Sequence, residues 1–365
     1  MNNLFKGMFK NKTVLVTGHT GFKGSWLSIW LREMGAKVVG YSLPPYTAKD
    51  NFALAGLESK VVSIYEDIRD YEKLKGIFSS YKPEVIFHLA AQPLVRYSYK
   101  YPRETYEQNI MGTVNLLECV RNSPFVEACI VITTDKCYEN KEWLWGYREN
   151  DRLGGYDPYS SSKAACELVV SAYKDSFFGD HSNKKPGIAT VRAGNVIGGG
   201  DWSMDRIIPD CIRSLEDNMP IPVRNPNSTR PWQHVLEPLS GYLLLASKML
   251  CGETGYSDAW NFGPNSESIV HVGTVVDTLI KHWGSGCWDN VGNKSKTTPH
   301  ESTLLSLDCT KAKMLLDWNP RLSLDEAIKL TTDWYKLYQS ADVYQTCVTQ
   351  IKSYCTKLER GKTND

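Results

Sequence analysis

The chain has 365 residues, 42% of them hydrophobic and 23% charged. This mixture excludes disordered, collagen-like and coiled-coil classes and is long enough for two packed lobes. Lys and Arg total 42 against 41 Asp and Glu, a formal net charge of +1, so no long-range field draws the protein onto nucleic acid or an anionic membrane and any anion site must be local. No apolar run reaches the roughly 18–20 residues of a membrane span, and Met1 to Lys12 contains no apolar leader segment. The 10 cysteines form no CxxC pair, which removes zinc-ribbon and thioredoxin readings and leaves small buried thiols in a reducing compartment. A cytoplasmic protein without a metal site is expected.

In chain order, Thr13 to Thr17 reads as a buried strand, Phe22 to Met34 as a helix stopped by Gly35, and Lys37 to Tyr41 as the second strand. Val61 to Tyr65, a helix over Tyr71 to Ser80, and the strand Glu84 to His88 follow. A long helix is predicted over Arg103 to Arg121, then a strand over Ala128 to Thr133. Near-continuous apolar strands alternating with helices predict an α/β, Rossmann-like, doubly wound parallel sheet covered on both faces. Glu139 to Asp157, rich in Trp, Tyr, Gly and Asn, reads as a loop; Pro158 opens a helix running to about Phe178; and Ile188 to Arg192 is the next strand. The rhythm then changes to short elements punctuated by Gly198-Gly199-Gly200 and several prolines. This predicts a nucleotide-binding domain over 1–195 with segments of about 231–263 returning to it. A smaller C-terminal substrate-binding lobe takes 196–230 and 264–340, and a helix and polar tail occupy 341–365.

Gly18, Gly21 and Gly24 lie three apart between the first strand and the first helix. Glycine there permits a tight turn and close approach of backbone N–H groups to a pyrophosphate at the helix N-terminus. The acidic residue that usually ends the second strand is missing, since the sequence there runs Gly40-Tyr41-Ser42-Leu43 with no arginine beside it. The strand therefore does not decide between NAD and NADP. Tyr159 and Lys163 are spaced i, i+4 on one helix face. An ammonium near a phenol favours phenolate and makes a usable proton-transfer group near neutral pH. Thr133-Thr134 ends the preceding strand, where ligands of such sheets bind.

Together these residues resemble the nucleotide-sugar branch of the extended short-chain dehydrogenase/reductase family over about Lys12 to Tyr335. Further matches are Asp67-Ile68-Arg69, His88 to Gln92, Asn109, Arg192 to Asn195 and Arg230-Pro231-Trp232. Within that branch, Thr133 to Trp143, Trp145 to Asn150, Gly154 to Tyr159, Arg192 to Trp202 and Arg230 to Val235 resemble the CDP-glucose 4,6-dehydratases. The resemblance implies NAD as cofactor, held by Gly18, Thr20, Gly21, Phe22, Gly24, Asp67, Ile68, Leu89, Ala90, Ala91, Asn109, Thr133, Tyr159, Lys163 and Arg192. Asp67 and Ile68 would flank adenine, Ala90 and Ala91 would follow the phosphates, and Tyr159 and Lys163 would touch the nicotinamide ribose. It implies Thr134, Asp135, Lys136, Tyr159 and Lys163 as catalytic residues and Asn195, Arg230 and Asn261 as substrate-binding ones; Arg206 and Arg224 are further candidates for bidentate contacts to the diphosphate, or else solvated surface arginines. The implied substrate is a nucleotide sugar, CDP-glucose, used in deoxysugar synthesis of the O-antigen type. Homodimers, or a tetramer, would pack through the helices near 103–121 and 158–178.

The two ionisable residues after Thr134 suit an elimination. Dehydrating a hexose across C5 and C6 needs oxidation at C4, a base for the C5 proton and an acid for the departing C6 hydroxyl. An epimerase needs only the oxidation. Asp135-Lys136 departs from the Asp-Glu of dTDP-glucose dehydratases and is also found in inverting dehydratases of UDP-N-acetylglucosamine, so those enzymes remain alternatives. As neighbours, Asp and Lys stabilise each other's charged forms, which opposes both roles unless the surroundings reset them. His19 and His88 are expected to pack or to edge the cofactor.

Overall fold

The computed structural model describes residues 4–178, 186–292 and 304–360. In chain order the strands are β1 Thr13–Thr17, β2 Lys37–Ser42, β3 Val62–Tyr65, β4 Val85–His88, β5 Ala128–Ile132, β6 Gly187–Ala193, β7 Asn195–Ile197, β8 Ile221–Val223, β9 Thr229–His234, β10 Ala259–Phe262, β11 Ile269–His271 and β12 Trp288–Asn290. The helices are α1 Phe22–Glu33, α2 Asn51–Leu54, α3 Tyr71–Tyr81, α4 Val95–Lys100, α5 Pro102–Tyr106, α6 Gly112–Arg121, α7 Pro158–Phe177, α8 Ile207–Glu216, α9 Leu236–Leu250, α10 Val272–Trp283, α11 Thr310–Leu316, α12 Leu324–Leu337 and α13 Val343–Arg360.

Seven strands form a parallel sheet in the order β10-β6-β5-β4-β1-β2-β3. This is the doubly wound arrangement predicted from the apolar runs. Val14, Leu15 and Val16 of β1 and all of β5 are buried because helices cover both faces. The strand order reverses between β1 and β4, which opens a crevice at their carboxyl ends. A three-stranded sheet, β11-β9-β7, and the pair β12-β8 stand beyond that edge.

Where one long helix is predicted over Arg103 to Arg121, α5 and α6 are joined by a π-helical turn over Glu107–Met111. β5 ends at Ile132, which leaves Thr133 and Thr134 as an extended exit. Asp157 caps α7, accepting from the Ser160 backbone N–H at 2.9 Å, and Pro158 takes the first helical position, where no donor is needed. Lys357 to Arg360 belong to α13 rather than to a loose tail; residues 361–365 and the part of the second lobe at 293–303 lie outside the described residues.

The last helix closes the core of the first. Tyr354 packs edge-on against Trp30 of α1 at 5.8 Å between ring centroids, and its hydroxyl donates to Glu237 Oε2 of α9 at 2.6 Å. Glu237 also accepts from the backbone N–H groups of Arg321 and Leu322, and burial pushes its carboxyl up to about 7. Among the described residues all ten cysteines are free, and all but Cys251 and Cys287 are buried. No described helix is long and apolar enough to cross a membrane.

Candidate active site

The glycine loop leaves β1 at the strand-order reversal. Gly18 has φ +74°, the left-handed region that favours glycine. A Cβ there would stand 2.7 Å from the Ala90 backbone nitrogen, so the loop and the exit of β4 touch. A Cβ on Gly24 would come within 2.0 Å of the Gly18 carbonyl oxygen, which fixes how closely α1 approaches its own loop. Those two glycines pack the loop tightly against the exit of β4 and against α1, whereas a Cβ on Gly21, the N-cap of α1, would meet only the Gly18 carbonyl oxygen at 3.3 Å, so the helix N-terminus stays open to a pyrophosphate. Gly21 is exposed; Phe22, Leu89, Ala90 and Ala91 are half-buried around it. Thr20 faces β2 instead: its hydroxyl donates to the Leu43 carbonyl at 2.9 Å and lies 2.8 Å from Ser42 Oγ.

Asn109 holds the β4 exit. Its Oδ1 accepts from Gln92 N at 2.7 Å, and its Nδ2 donates to Gln92 O at 3.1 Å and to Ser162 Oγ of α7 at 2.8 Å. Asp67 lies just beyond β3, its carboxylate bound by Arg69, while Ile68 is buried beside Gly112. His88 lies 2.7 Å from Thr17 Oγ1 and 3.2 Å from Thr113 Oγ1; burial pushes its imidazole down to about 3. His19 is wedged edge-on against Phe52, and burial lowers it to about 4. Both imidazoles are neutral packing groups.

Thr134, Asp135, Lys136, Tyr159 and Lys163 come together beside this loop. Thr134 Oγ1 donates to Asp135 Oδ1 at 2.9 Å and accepts from Lys136 N at 3.4 Å, which shapes the short 3₁₀ turn Asp135–Cys137. Burial raises the Asp135 carboxyl, against the pull of Lys136, of the Thr134 hydrogen bond and of Arg230. Burial raises Tyr159 to about 12, opposed by its hydrogen bond with Thr134 and by the Arg206 charge. Burial lowers Lys163, whose Nζ donates to the Ile132 carbonyl at 3.1 Å. The Tyr159 backbone N–H donates to Ser98 Oγ of α4 at 3.1 Å, which ties α7 to α4.

Arg206, at the N-cap of α8, and Arg230 of β9 join these residues. Arg206 Nη1 donates to Asp201 Oδ2 at 2.8 Å. Burial would raise Asp201, but Arg206 and the bonds from Ser203 outweigh it and keep the carboxylate ionised. Arg230 is half-buried on β9 and bears on Asp135. Asn195, at the start of β7, is half-buried with no side-chain hydrogen bond among the described residues.

Four residues expected at the ligand are engaged elsewhere. Arg192 is 3% exposed and forms a bidentate pair with Glu167 of α7: Nε donates to Oε1 at 2.9 Å and Nη2 to Oε2 at 2.8 Å. Glu167 also accepts from Thr133 Oγ1 at 2.5 Å and from Thr190 Oγ1 at 2.6 Å, so Thr133 too points into this core pair. The Asn261 amide is fully buried, donating to the carbonyls of Tyr147 and Asp308 and accepting from Tyr138 OH. Arg224 pairs with Asp205 and Asp210. These long-range partners are invisible in the sequence. Removing one side of a buried, fully hydrogen-bonded ion pair strands the other charge. Glu167→Ala is therefore expected to lose about 3–5 kcal/mol of stability in urea unfolding, and Arg192→Met with Glu167→Met far less.

One residue without an expected role is Lys23, inside the glycine loop. Its amine is half-buried. Burial, with the charges of Arg206 and Lys163 and against the opposing pull of Asp135 and Asp201, brings it down to about 8. Lys23 thus completes, with Lys163, Arg206 and Arg230, a cationic wall around a buried acid, a local field inside a chain of nearly zero net charge. Its signal in the sequence is a lysine in a segment otherwise built of glycines, an aromatic and small polar residues.

The sequence model of the GDP-mannose 4,6 dehydratase family matches residues 15–331. The chain is 48% identical over 359 residues to a CDP-glucose 4,6-dehydratase of Salmonella typhimurium, covering 97% of this chain and 99% of that one. In solved structures it is similar to a UDP-glucose 4-epimerase of Thermotoga maritima, with a TM-score of 0.76 at 24% identity over 90% of this chain and 100% of that one. It is also similar to the dTDP-glucose 4,6-dehydratase of Streptomyces venezuelae with NAD bound, with a TM-score of 0.75 at 22% identity over 89% of this chain and 97% of that one. The last two likenesses show the fold; the sequence matches show more, and the chain belongs to the GDP-mannose 4,6 dehydratase family.

Proposed function

We propose that this chain dehydrates CDP-glucose to CDP-4-keto-6-deoxyglucose, with NAD as a cofactor retained through each cycle. The observation that carries this is the buried Asp135 with Lys136 beside it, directly after Thr134 and next to Tyr159, in a chain 48% identical to a CDP-glucose 4,6-dehydratase. The tight turn at Gly18 and Gly24 and the exposed Gly21 at the N-terminus of α1 fit a dinucleotide held by that loop, by the backbone of Leu89 to Ala91 and by Tyr159 and Lys163. When bound, NAD supplies the acceptor for the C4 hydride and its return to C6.

Tyr159, as the phenolate, takes the proton of the C4 hydroxyl; burial opposes that form, and the Thr134 hydrogen bond and the Arg206 charge favour it. With C4 a ketone, the C5 proton is acidic. Lys136, acting as the neutral amine, removes it, and Asp135, whose carboxyl burial raises, acts in its protonated form as the acid for the departing C6 hydroxyl. Asn195, Arg206 and Arg230 orient the diphosphate, Arg206 being itself fixed by Asp201. A homodimer through α5–α6 and α7 is part of this reading, supported by exposed Tyr106, Met111, Leu168 and Phe177 on those helices.

Deuterium placed at C4 of CDP-glucose is expected at C6 of the same product molecule, and turnover in D₂O is expected to place solvent deuterium at C5. CDP-glucose should outrun UDP-, GDP- and dTDP-glucose in a parallel screen. A product without solvent label at C5 would remove Lys136 and Asp135 from the chemistry.

A further inference from the structure

The segment between β7 and α8 ends on Arg206, which faces the crevice and Asp201. The residue before it, Asp205, takes the outward direction. Its backbone has φ +63°, a region uncommon for residues other than glycine, asparagine and aspartate. Asp205 Oδ1 accepts from Arg96 Nη1 at 2.9 Å and from Arg224 Nη2 at 3.4 Å. Arg96 lies on α4, in the half built on the large sheet, whereas Arg224 follows β8 in the other lobe. The same α4 carries Ser98, which receives the Tyr159 N–H. The contacts therefore run in a ring, from the start of α7 through Ser98 and Arg96 to Asp205 and so to Arg206. They link the proton-transfer group on one side to the diphosphate-binding group on the other.

We propose that Asp205, gripped by Arg96 and Arg224, is an ionic clasp across the mouth of the crevice that keeps the sugar nucleotide bound between oxidation and elimination. This rests on the dehydratase reading. Once C4 is oxidised, the hydroxyl proton is on Tyr159 and the two electrons are held by the cofactor. If the 4-keto sugar leaves at that point with its C6 hydroxyl intact, nothing in the site returns those electrons, and the subunit stalls in the reduced state. Retention is thus a requirement separate from the chemistry. The Arg96, Asp205 and Arg224 side chains are 43%, 44% and 36% exposed. Pairs that exposed are weak, so the clasp opens readily for product release.

The test is a trapping experiment with the full-length enzyme and CDP-glucose, using borodeuteride to capture any released 4-keto sugar. Asp205→Asn keeps the shape, tolerates the left-handed backbone and removes the charge; Arg96→Gln removes the partner. Each is expected to raise the ratio of released 4-keto-6-hydroxy sugar to 6-deoxy product by about 1.5-fold to fivefold, the range open to exposed ion pairs. The double variant should leak no more than Asp205→Asn alone, because both changes break the same contact. Leakage by the unmodified enzyme should rise with ionic strength and that of Asp205→Asn should not. Leakage in both single variants equal to the unmodified enzyme, or additive leakage in the double variant, would overturn the clasp. Absence of any 6-deoxy product from the unmodified enzyme would instead overturn the dehydratase reading.

Discussion

Replacing Tyr159 by Phe is expected to slow turnover of CDP-glucose by about 10²–10⁴-fold while leaving the fold intact, the usual effect of deleting a positioned proton-transfer group. The ring is buried at the N-terminus of α7, and only the hydroxyl reaches Thr134. The substitution therefore removes an oxygen without opening a cavity. The loss should fall on the first chemical step, so that neither reduced cofactor nor 4-keto sugar accumulates. Thr134→Val should show a smaller loss with the same signature, since it removes one partner of the phenol and not the phenol itself. Near-normal turnover by Tyr159→Phe would sink the assignment of the proton to this residue.

Asp135→Asn and Lys136→Met are expected to behave differently from Tyr159→Phe and alike in one respect. Each should still oxidise C4 and then stall, so that bound reduced cofactor appears with a sugar that keeps its C6 hydroxyl. Loss of dehydration by about 10²-fold or more follows from deleting the acid or the base of the elimination. Stability gives a control. Asp135 has its folded carboxyl raised, so the native state binds more protons than the unfolded chain as pH climbs past the ordinary carboxylate range, and stability falls over that interval. At neutral pH the unmodified enzyme carries this cost and Asp135→Asn does not. The variant should therefore unfold at equal or higher urea concentration. Full dehydration by both variants, or a destabilised Asp135→Asn, would contradict the buried-acid account.

What is legible in the sequence is local. The glycine loop and the apolar runs Thr13 to Thr17 and Ala128 to Ile132 each carry their structural meaning within a few residues, and the resulting sheet has the doubly wound order they imply. The failures share a cause. Arg192, Asn261 and Thr133 look like polar residues available to a ligand until Glu167, Asp308 and Tyr138 arrive from other elements and occupy their hydrogen-bonding groups. Lys23 is visible in the motif, but its lowered basicity comes first from burial and then from charges such as that of Arg206, far along the chain. At the end of β2, where an acid is missing, Ser42 contacts Thr20 of the glycine loop, a pairing that the sequence does not reveal.

The seating of α13 on α1 bears on how the protein folds. Trp30 of α1 packs against Tyr354 of α13, and Asn51 accepts from Cys347 across 296 residues of sequence. Contacts of such high sequence separation must overcome loop-closure entropy before they stabilise anything, so they form late and slowly. Until α13 docks, the helix that follows the glycine loop keeps an aromatic face open, the kind of exposed apolar surface from which aggregation starts.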